Sequence, residues 1–160
     1  MKKKIIAVVL LLCVSLLAFA ACGADKEFST EGMTITLTDQ FVEKDVVGQT
    51  KVYQSTYVIV TALKEDFTML PGMEDWTLTY YTNLTLQANH LAAPVIQTQT
   101  YYYFTYEKTV SGQEYFYLAT THKASDAFWL IQFACFKKDK DTYLPKFIKW
   151  ADSVVFDAQA

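Results

Sequence analysis

The sequence predicts an α+β fold in which helices flank an antiparallel β-sheet. Aromatic and β-branched residues run in strand-length segments joined by short loops, and two other segments carry apolar stripes at helical spacing. Loops this short cannot make the crossovers that parallel strands need. With 160 residues, 52% of them apolar, the chain is long enough to bury one core and too apolar to be disordered.

The expected elements begin with strands. Apolar residues alternate with threonines over residues 33–37, a pattern typical of a half-buried strand. Residues 52–63 are apolar at both alternating sets of positions, so we expect one central strand there, covered on both faces. The shorter pieces predicted around these are a hairpin of residues 28–30 and 33–37 turning at Glu31 and Gly32, and extended segments at 41–42 and 46–47.

Two segments have apolar residues on one side of a helix. The first begins near Glu74, although its many threonines disfavour helix. The second ends the chain, and we expect Pro145 in its first turn, where the missing N–H is tolerated. The stripes are Trp76, Tyr80, Leu84 and Ala88 in the first helix, and Phe147, Trp150, Ala151 and Val154 in the second.

Three strands between the helices form a predicted meander. They cover residues 95–106, 114–121 and 127–136, with a turn at Ser111 and Gly112. Tyrosines cluster in the first two of these strands, and alternation places Tyr101 and Tyr103 on the face opposite Tyr102, Phe104 and Tyr106. Cross-strand packing under a helix explains such a cluster, and so does an exposed row that grips a ligand. At most one of the two sets can face solvent.

The first 21 residues have the parts of a secretory signal peptide. Lys2, Lys3 and Lys4 precede an apolar run over residues 5–21 that only Ser15 interrupts. An uncleaved N-terminal anchor is the alternative, since 17 residues are at the short limit for spanning a bilayer.

Cys22 predicts the cellular location of the chain. Residues 17–23, Leu-Ala-Phe-Ala-Ala-Cys-Gly, resemble the lipobox of bacterial lipoproteins, although Phe19 stands where Leu is usual. The resemblance implies a diacylglyceryl group on Cys22, cleavage before it, and anchoring to the extracytoplasmic face of the cell membrane. We therefore expect a lipoprotein signal at 1–21, the lipidated Cys22 with a short tether at 22–27, and one domain over 28–160.

Charge and cysteine content exclude several classes of protein. All 14 basic residues are lysines, and the net charge is −3, which disfavours nucleic acid as a partner. Cleavage of the expected signal removes Cys13, and the expected lipid modifies Cys22, so Cys135 has no disulfide partner. Its apolar surroundings predict a small buried side chain rather than a nucleophile.

Motifs that carry catalysis or bind cofactors are missing from the sequence. No phosphate-binding loop, zinc-ligand spacing or nucleophile elbow is present, so we expect no catalytic residue, no metal site and no cofactor. His90 and His122 are expected in a loop or at a sheet edge, and the acidic pairs Glu65-Asp66 and Glu74-Asp75 on solvated surface. Weak candidates for ligand binding are Tyr101, Tyr103 and Trp76, as stacking platforms.

The core pattern resembles a known family. Residues 125–135, Ser-Asp-Ala-Phe-Trp-Leu-Ile-Gln-Phe-Ala-Cys, are followed by Tyr143, Phe147, Trp150-Ala151 and Phe156, as in small bacterial lipoproteins of the PsbP-like (DcrB-like) superfamily. The resemblance covers residues 28–156 and implies a PsbP-like α/β/α sandwich. Known members include an extrinsic photosystem subunit and a nuclear GTPase-release factor, both without catalysis, and no binding motif of theirs can be placed here.

The sequence leaves three functions open. The first is a membrane-anchored, non-catalytic binding or accessory module for a protein or envelope partner. The second is a module that binds carbohydrate or cell wall through a tyrosine-rich sheet face. The third, more distant, is a small hydrolase.

Overall fold

A computed structural model describes residues 23–157, which form ten strands in two sheets, two α-helices and three short 3-10 turns. The α-helices are α1 (Leu78–Ala88) and α2 (Lys140–Asp152), and the 3-10 turns are Phe67–Met69, Met73–Asp75 and Lys137–Asp139. The strands are β1 (Asp25–Thr30), β2 (Met33–Thr38), β3 (Val42–Lys44), β4 (Lys51–Gln54), β5 (Val58–Asp66), β6 (Ile96–Gln97), β7 (Tyr102–Val110), β8 (Gln113–Lys123), β9 (Ala127–Phe136) and β10 (Val155–Phe156).

The larger sheet has seven strands in the order β3-β4-β5-β9-β8-β7-β6. Every neighbouring pair is antiparallel, as the short loops predict. β9 is the middle strand, and the register places Phe133 opposite Val60 of β5 and Leu118 of β8. The α+β class with antiparallel sheets and flanking helices is confirmed.

One face of the large sheet, here called the core face, packs against α2 and the small sheet β1-β2-β10. The ring of Phe147 in α2 lies 5.5 Å from Phe133 and 6.4 Å from Phe116, centroid to centroid. All three side chains are buried, together with Trp150. Burial of several aromatic rings in one layer is a large part of the folding free energy.

The opposite face, here called the outer face, is only half covered. α1 packs on the end of this face where β9 begins. The ring of Tyr81 stacks on Phe128 at 4.3 Å, and the buried hydroxyls of Thr82 and Thr121 hydrogen-bond at 2.6 Å. Thr77 caps the helix, since its side chain accepts a hydrogen bond from the Tyr80 N–H. The threonines expected to weaken this helix are thus used for capping and for anchoring it to the sheet.

Four boundaries differ from the sequence-based expectation. The strand expected over residues 95–106 is two strands, β6 and β7, because Thr98 and Tyr101 close a turn through the Thr98 N–H and hydroxyl, which both donate to the Tyr101 carbonyl. The strand expected over residues 52–63 is two strands, because Ser55 and Val58 close a tight turn. The Ser55 N–H donates to the Val58 carbonyl, and the Val58 N–H donates to the Ser55 hydroxyl. α1 begins at Leu78 rather than near Glu74. α2 begins at Lys140, so Pro145 lies inside the helix and beyond its first turn.

The tether expected at residues 22–27 is shorter in the structure. β1 begins at Asp25, and Asp25, Lys26 and Glu27 pair in register with β2. Cys22 and the leader lie outside the described residues. Within residues 23–157 no helix is long and apolar enough to cross a membrane.

Replacing Phe147 with Ala is expected to lower the free energy of unfolding by about 3–5 kcal/mol, because it opens a cavity between α2 and β9. Chemical denaturation followed by tryptophan fluorescence measures the loss. The matched control is Val47→Ala, whose side chain is fully exposed in the β3–β4 loop and should leave stability unchanged within about 0.5 kcal/mol. Equal effects of the two changes would contradict the central place given to Phe147.

Candidate functional site

Tyr101, proposed from the sequence as a stacking platform, lies in the core. Its side chain is 2% exposed, and its hydroxyl donates a hydrogen bond of 2.7 Å to Asp152 Oδ1 at the end of α2. Burial and this hydrogen bond raise the pKa of the Tyr101 hydroxyl. A ring held in this way joins β7 to α2 and offers no face to a sugar.

Tyr103 and Trp76 are also partly enclosed. Tyr103 is half-buried on the core face, where it packs beside Tyr101 at 6.2 Å between ring centroids. Trp76 is half-buried before α1, and its ring meets Tyr80 edge-on at 5.0 Å. The three candidates therefore lie on two faces of the sheet and do not form one site.

A different group of aromatic and apolar residues lies on the half of the outer face that α1 leaves bare. We call it the tyrosine platform, and its members are Ile59, Tyr106, Val110, Tyr115, Tyr117 and Phe136. Ile59 and Val110 are exposed, and the four aromatic side chains are half-buried. Tyr103 on the core face is half-buried as well, so alternation along β7 separates the two sets of tyrosines without deciding which of them a ligand can reach.

The geometry of the tyrosine platform follows from strand register. Tyr106 of β7 lies opposite Tyr117 of β8. Their rings are stacked, with 4.7 Å between the centroids and an angle of 1° between the ring planes. Tyr115 lies opposite Phe136 of β9, with ring centroids 5.3 Å apart. Cross-strand pairs of this kind stabilise the sheet by themselves.

A shallow depression crosses the platform. It has a volume of about 340 Å³ and is lined by Ile59, Thr61, Val110, Tyr115, Tyr117, Gln132 and Ala134. Ile59 and Val110 are 39% and 43% exposed, values that are high for large apolar side chains within strands. The Gln132 amide and the tyrosine hydroxyls are the polar groups that could orient a ligand. Burial raises the pKa of Tyr106 to about 12, so its hydroxyl is a neutral donor at physiological pH.

The platform can bind but offers no reactive group. Aromatic rings with polar tips suit the contact surface of a protein partner or the apolar face of a sugar ring. The sequence contained the signal for this site, in the alternation of Tyr106, Tyr115 and Tyr117. It did not contain the position of α1, which decides which half of the outer face is bare.

His122 was expected in a loop or at a sheet edge, and that prediction is wrong. It lies in β8, 2% exposed, with its Nε2 atom 2.9 Å from the Thr120 hydroxyl and its ring between those of Tyr101 and Phe156. Burial lowers the pKa of His122 to about 3, so the ring is neutral. His90 is exposed after α1, as expected for a loop residue.

Cys135 is surrounded by core residues, and Glu65 and Asp66 make hydrogen bonds within the fold. The Cys135 side chain is buried among the core-face residues, and burial raises the pKa of its thiol to about 11. Such a thiol is a poor nucleophile. Glu65 accepts a short hydrogen bond from the Tyr81 hydroxyl, and Asp66 caps the following 3-10 turn. Among residues 23–157 no group of three or more His, Cys, Asp or Glu side chains could hold a metal ion.

Comparison with solved structures defines the fold class. No protein-family model and no curated protein matches the chain. The solution structure of cyanobacterial PsbP (CyanoP) from Synechocystis sp. PCC 6803 is similar over 83% of this chain and 92% of its own, with a TM-score of 0.53 and 14% identity. The chain therefore has the PsbP-like fold.

Two further structures share this architecture. LpqN of Mycobacterium tuberculosis, described as involved in cell envelope biogenesis, is similar over 84% of this chain and 91% of its own, with a TM-score of 0.53 and 7% identity. The Ran-binding protein Mog1p of Saccharomyces cerevisiae is similar over 82% of this chain and 95% of its own, with a TM-score of 0.52 and 9% identity. At these identities the likeness establishes the fold alone.

Stability is expected to fall as pH decreases from about 6.5, because the unfolded chain protonates His122 near its ordinary pKa while the folded chain does not. The loss attributable to this residue between pH 8 and pH 5 is about 2 kcal/mol. Denaturation at a series of pH values should show this slope in the native chain. The slope should be weaker in His122→Gln, whatever that variant's absolute stability, and identical slopes would contradict the assignment.

Proposed function

We propose that the protein is a membrane-anchored, extracytoplasmic, non-catalytic module that binds a protein or another component of the cell envelope. The tyrosine platform is its binding surface. The diacylglyceryl group on Cys22 is its attachment to the membrane. Neither the platform nor the surroundings of Cys135, His122 and the carboxylates supplies the activated nucleophile or acid–base pair that a hydrolase needs.

The observation that carries this proposal is the bare half of the outer face. The seven-stranded sheet packs its core face against α2 and the small sheet, and on the other side it leaves Ile59 and Val110 exposed and Tyr106, Tyr115 and Tyr117 half-buried. Tyrosine is enriched in binding surfaces because it buries a large rigid ring and keeps a hydrogen-bonding tip. The two solved structures with a stated role, the Ran-binding protein and the envelope-biogenesis protein, support a role in binding without identifying a partner.

Capture of a partner should depend on the platform. The lipidated chain, crosslinked in its native membranes and purified, is expected to retain one dominant partner that the double variant Tyr115→Ser/Tyr117→Ser loses several-fold. Both side chains are half-exposed, so the substitutions should leave the fold intact. Quantitative mass spectrometry of the crosslinked fractions measures the loss.

The matched control is Tyr80→Ser, which removes an exposed tyrosine from α1, away from the platform. This variant should retain the partner, as judged by the same mass spectrometry. Loss of the partner in both variants, or in neither, would contradict the assignment of the binding surface.

Carbohydrate is the second candidate ligand, and one geometric observation favours it. The rings of Tyr106 and Tyr117 stack in parallel with 4.7 Å between their centroids, which makes an aromatic pair that the apolar face of a sugar ring could contact. In this case the envelope component would be wall glycan. The stacking residues would be Tyr106 and Tyr117 rather than Tyr101, Tyr103 or Trp76.

Sedimentation with purified cell wall separates the two ligands. If glycan is the ligand, the chain pellets with wall, and Tyr117→Ser weakens binding about threefold to tenfold, the loss of roughly 1 kcal/mol of ring contact. Tyr103→Ser on the opposite face serves as the control and should bind as the native chain does. No sedimentation of the native chain would remove the carbohydrate hypothesis and leave the protein partner.

A further inference from the structure

The first described residue, Gly23, is already part of the folded domain. Its φ is +58°, and a Cβ atom placed there would lie 2.7 Å from Asp39 Oδ1. Only glycine avoids both the strained backbone and this contact. The Ala24 N–H donates to Asp39 Oδ1 at 3.2 Å, and the Ala24 carbonyl accepts from the Asp39 N–H at 2.8 Å.

These hydrogen bonds hold the chain to the domain from Ala24 onward. Ala24 is bound to Asp39 in the β2–β3 turn, so a lipid on Cys22 would be joined to the domain one residue before Gly23. The lipid on Cys22 and the alternative, an uncleaved anchor over residues 5–21, both reach the membrane at this point. In either case the surface around Gly23 must lie against the head-group layer.

That surface is a cleft, here called the anchor cleft. It has a volume of about 470 Å³ and runs from Gly23 along α2 to the β4–β5 turn. The lining side chains that concern the membrane are Gln40, Tyr57, Tyr143, Lys146 and Lys149, and the buried Trp150 forms the floor of the cleft. Tyr57 is 60% exposed at the rim, and Lys146 Nζ lies 5.1 Å from the centre of the Tyr143 ring.

The composition of the anchor cleft matches the membrane interface. Tyrosine rings are enriched at the level of lipid head groups, and lysines extend their ammonium groups to lipid phosphates from an apolar stem. Lys149 is held by Asp25, with 3.0 Å between Nζ and Oδ2. The cleft therefore carries both signs of charge, as a zwitterionic head-group layer does.

We propose that the anchor cleft is the membrane-facing surface of the domain and seats phospholipid head groups, with Tyr57 at the bilayer interface and Lys146 at the phosphate level. This inference rests on membrane tethering near Cys22, as the proposed function does. It adds a fixed orientation, in which the domain stands on the end of the large sheet where β5 begins.

The same orientation places two other surfaces away from the bilayer. In the β3–β4 hairpin Val42 pairs with Gln54, and Lys44 pairs with Val52, so the loop that contains Val47 is at the far end from the anchor cleft. Tyr80 of α1 lies beside the outer face at the end where β9 begins, also distant from the cleft. The side chains of Val47 and Tyr80 are both exposed, so a fluorophore attached at either position should lie in water, away from the bilayer.

Site-specific fluorescence tests the orientation. The full chain is expressed as Tyr57→Cys, Val47→Cys or Tyr80→Cys, purified from membranes and reconstituted into vesicles of phosphatidylglycerol and phosphatidylethanolamine. Cys135 is buried, and Cys22 is blocked when lipidated, so the introduced thiol takes the fluorophore. The quencher is a phospholipid with a nitroxide on its head group.

Quenching is expected to be several-fold stronger at position 57 than at positions 47 and 80. The charge reversal Lys146→Glu should reduce the quenching at position 57, because it replaces attraction to the lipid phosphate with repulsion. Equal quenching at all three positions, or stronger quenching at 47 or 80, would overturn the orientation while leaving the anchor intact.

Failure of the anchor itself has a separate signature. Mass spectrometry of the Cys22 peptide shows whether the diacylglyceryl group is present. An unmodified peptide from a membrane-bound chain indicates the uncleaved anchor, and the labelling is then repeated with Cys13→Ser and Cys22→Ser in every variant, for which the expected quenching pattern is the same. A chain that is absent from the membrane fraction would overturn both the proposed function and the orientation.

Discussion

The contact between Phe147 of α2 and Phe133 of β9 is the interaction on which the other layers depend. β9 is the middle strand of the large sheet and is buried at nearly every position, so it needs cover on both faces. On the core face the cover is complete, because α2 and the small sheet together enclose one continuous cluster of aromatic and aliphatic side chains. This complete enclosure fixes α2 and β2 relative to the large sheet, and with them the walls of the anchor cleft.

The outer face is only partly covered. The half under α1 stabilises the fold, and the other half carries the tyrosine platform. α1 is short and held at one end by Tyr81 on Phe128 and by the Thr82–Thr121 hydrogen bond. The remaining half of the face keeps its tyrosines in contact with solvent, although apolar surface of this kind is usually covered. The platform and the anchor cleft lie towards the same end of the sheet, and Ile59 of the platform is two residues from Tyr57 of the cleft. A partner bound to the platform would therefore lie close to the membrane surface.

The sequence allowed the main elements to be predicted because their patterns are local. Two-sided apolar character predicted an interior strand within residues 52–63, where β5 pairs with β4 and β9, and alternation assigned Tyr101 and Tyr106 to opposite faces, as the structure has them. The errors concern features that depend on tertiary contacts. His122 has no sequence pattern that distinguishes a buried neutral ring from an exposed one, and its position depends on Tyr101 and Phe156, which are distant in the chain.

The sequence by itself determined the class of fold, the apolar run before Cys22 and the absence of recognisable catalytic motifs, since each of these is written in consecutive residues or a fixed period. Only the tertiary structure decided which tyrosines are buried and how the start of β1 is held. Tyr101 is closed off by Asp152, which lies 51 positions away in the sequence, and Ala24 is held by Asp39 of the β2–β3 turn. The exposure of a side chain depends on the residues that pack against it. Here those residues are distant in the sequence, so the local pattern does not reveal them.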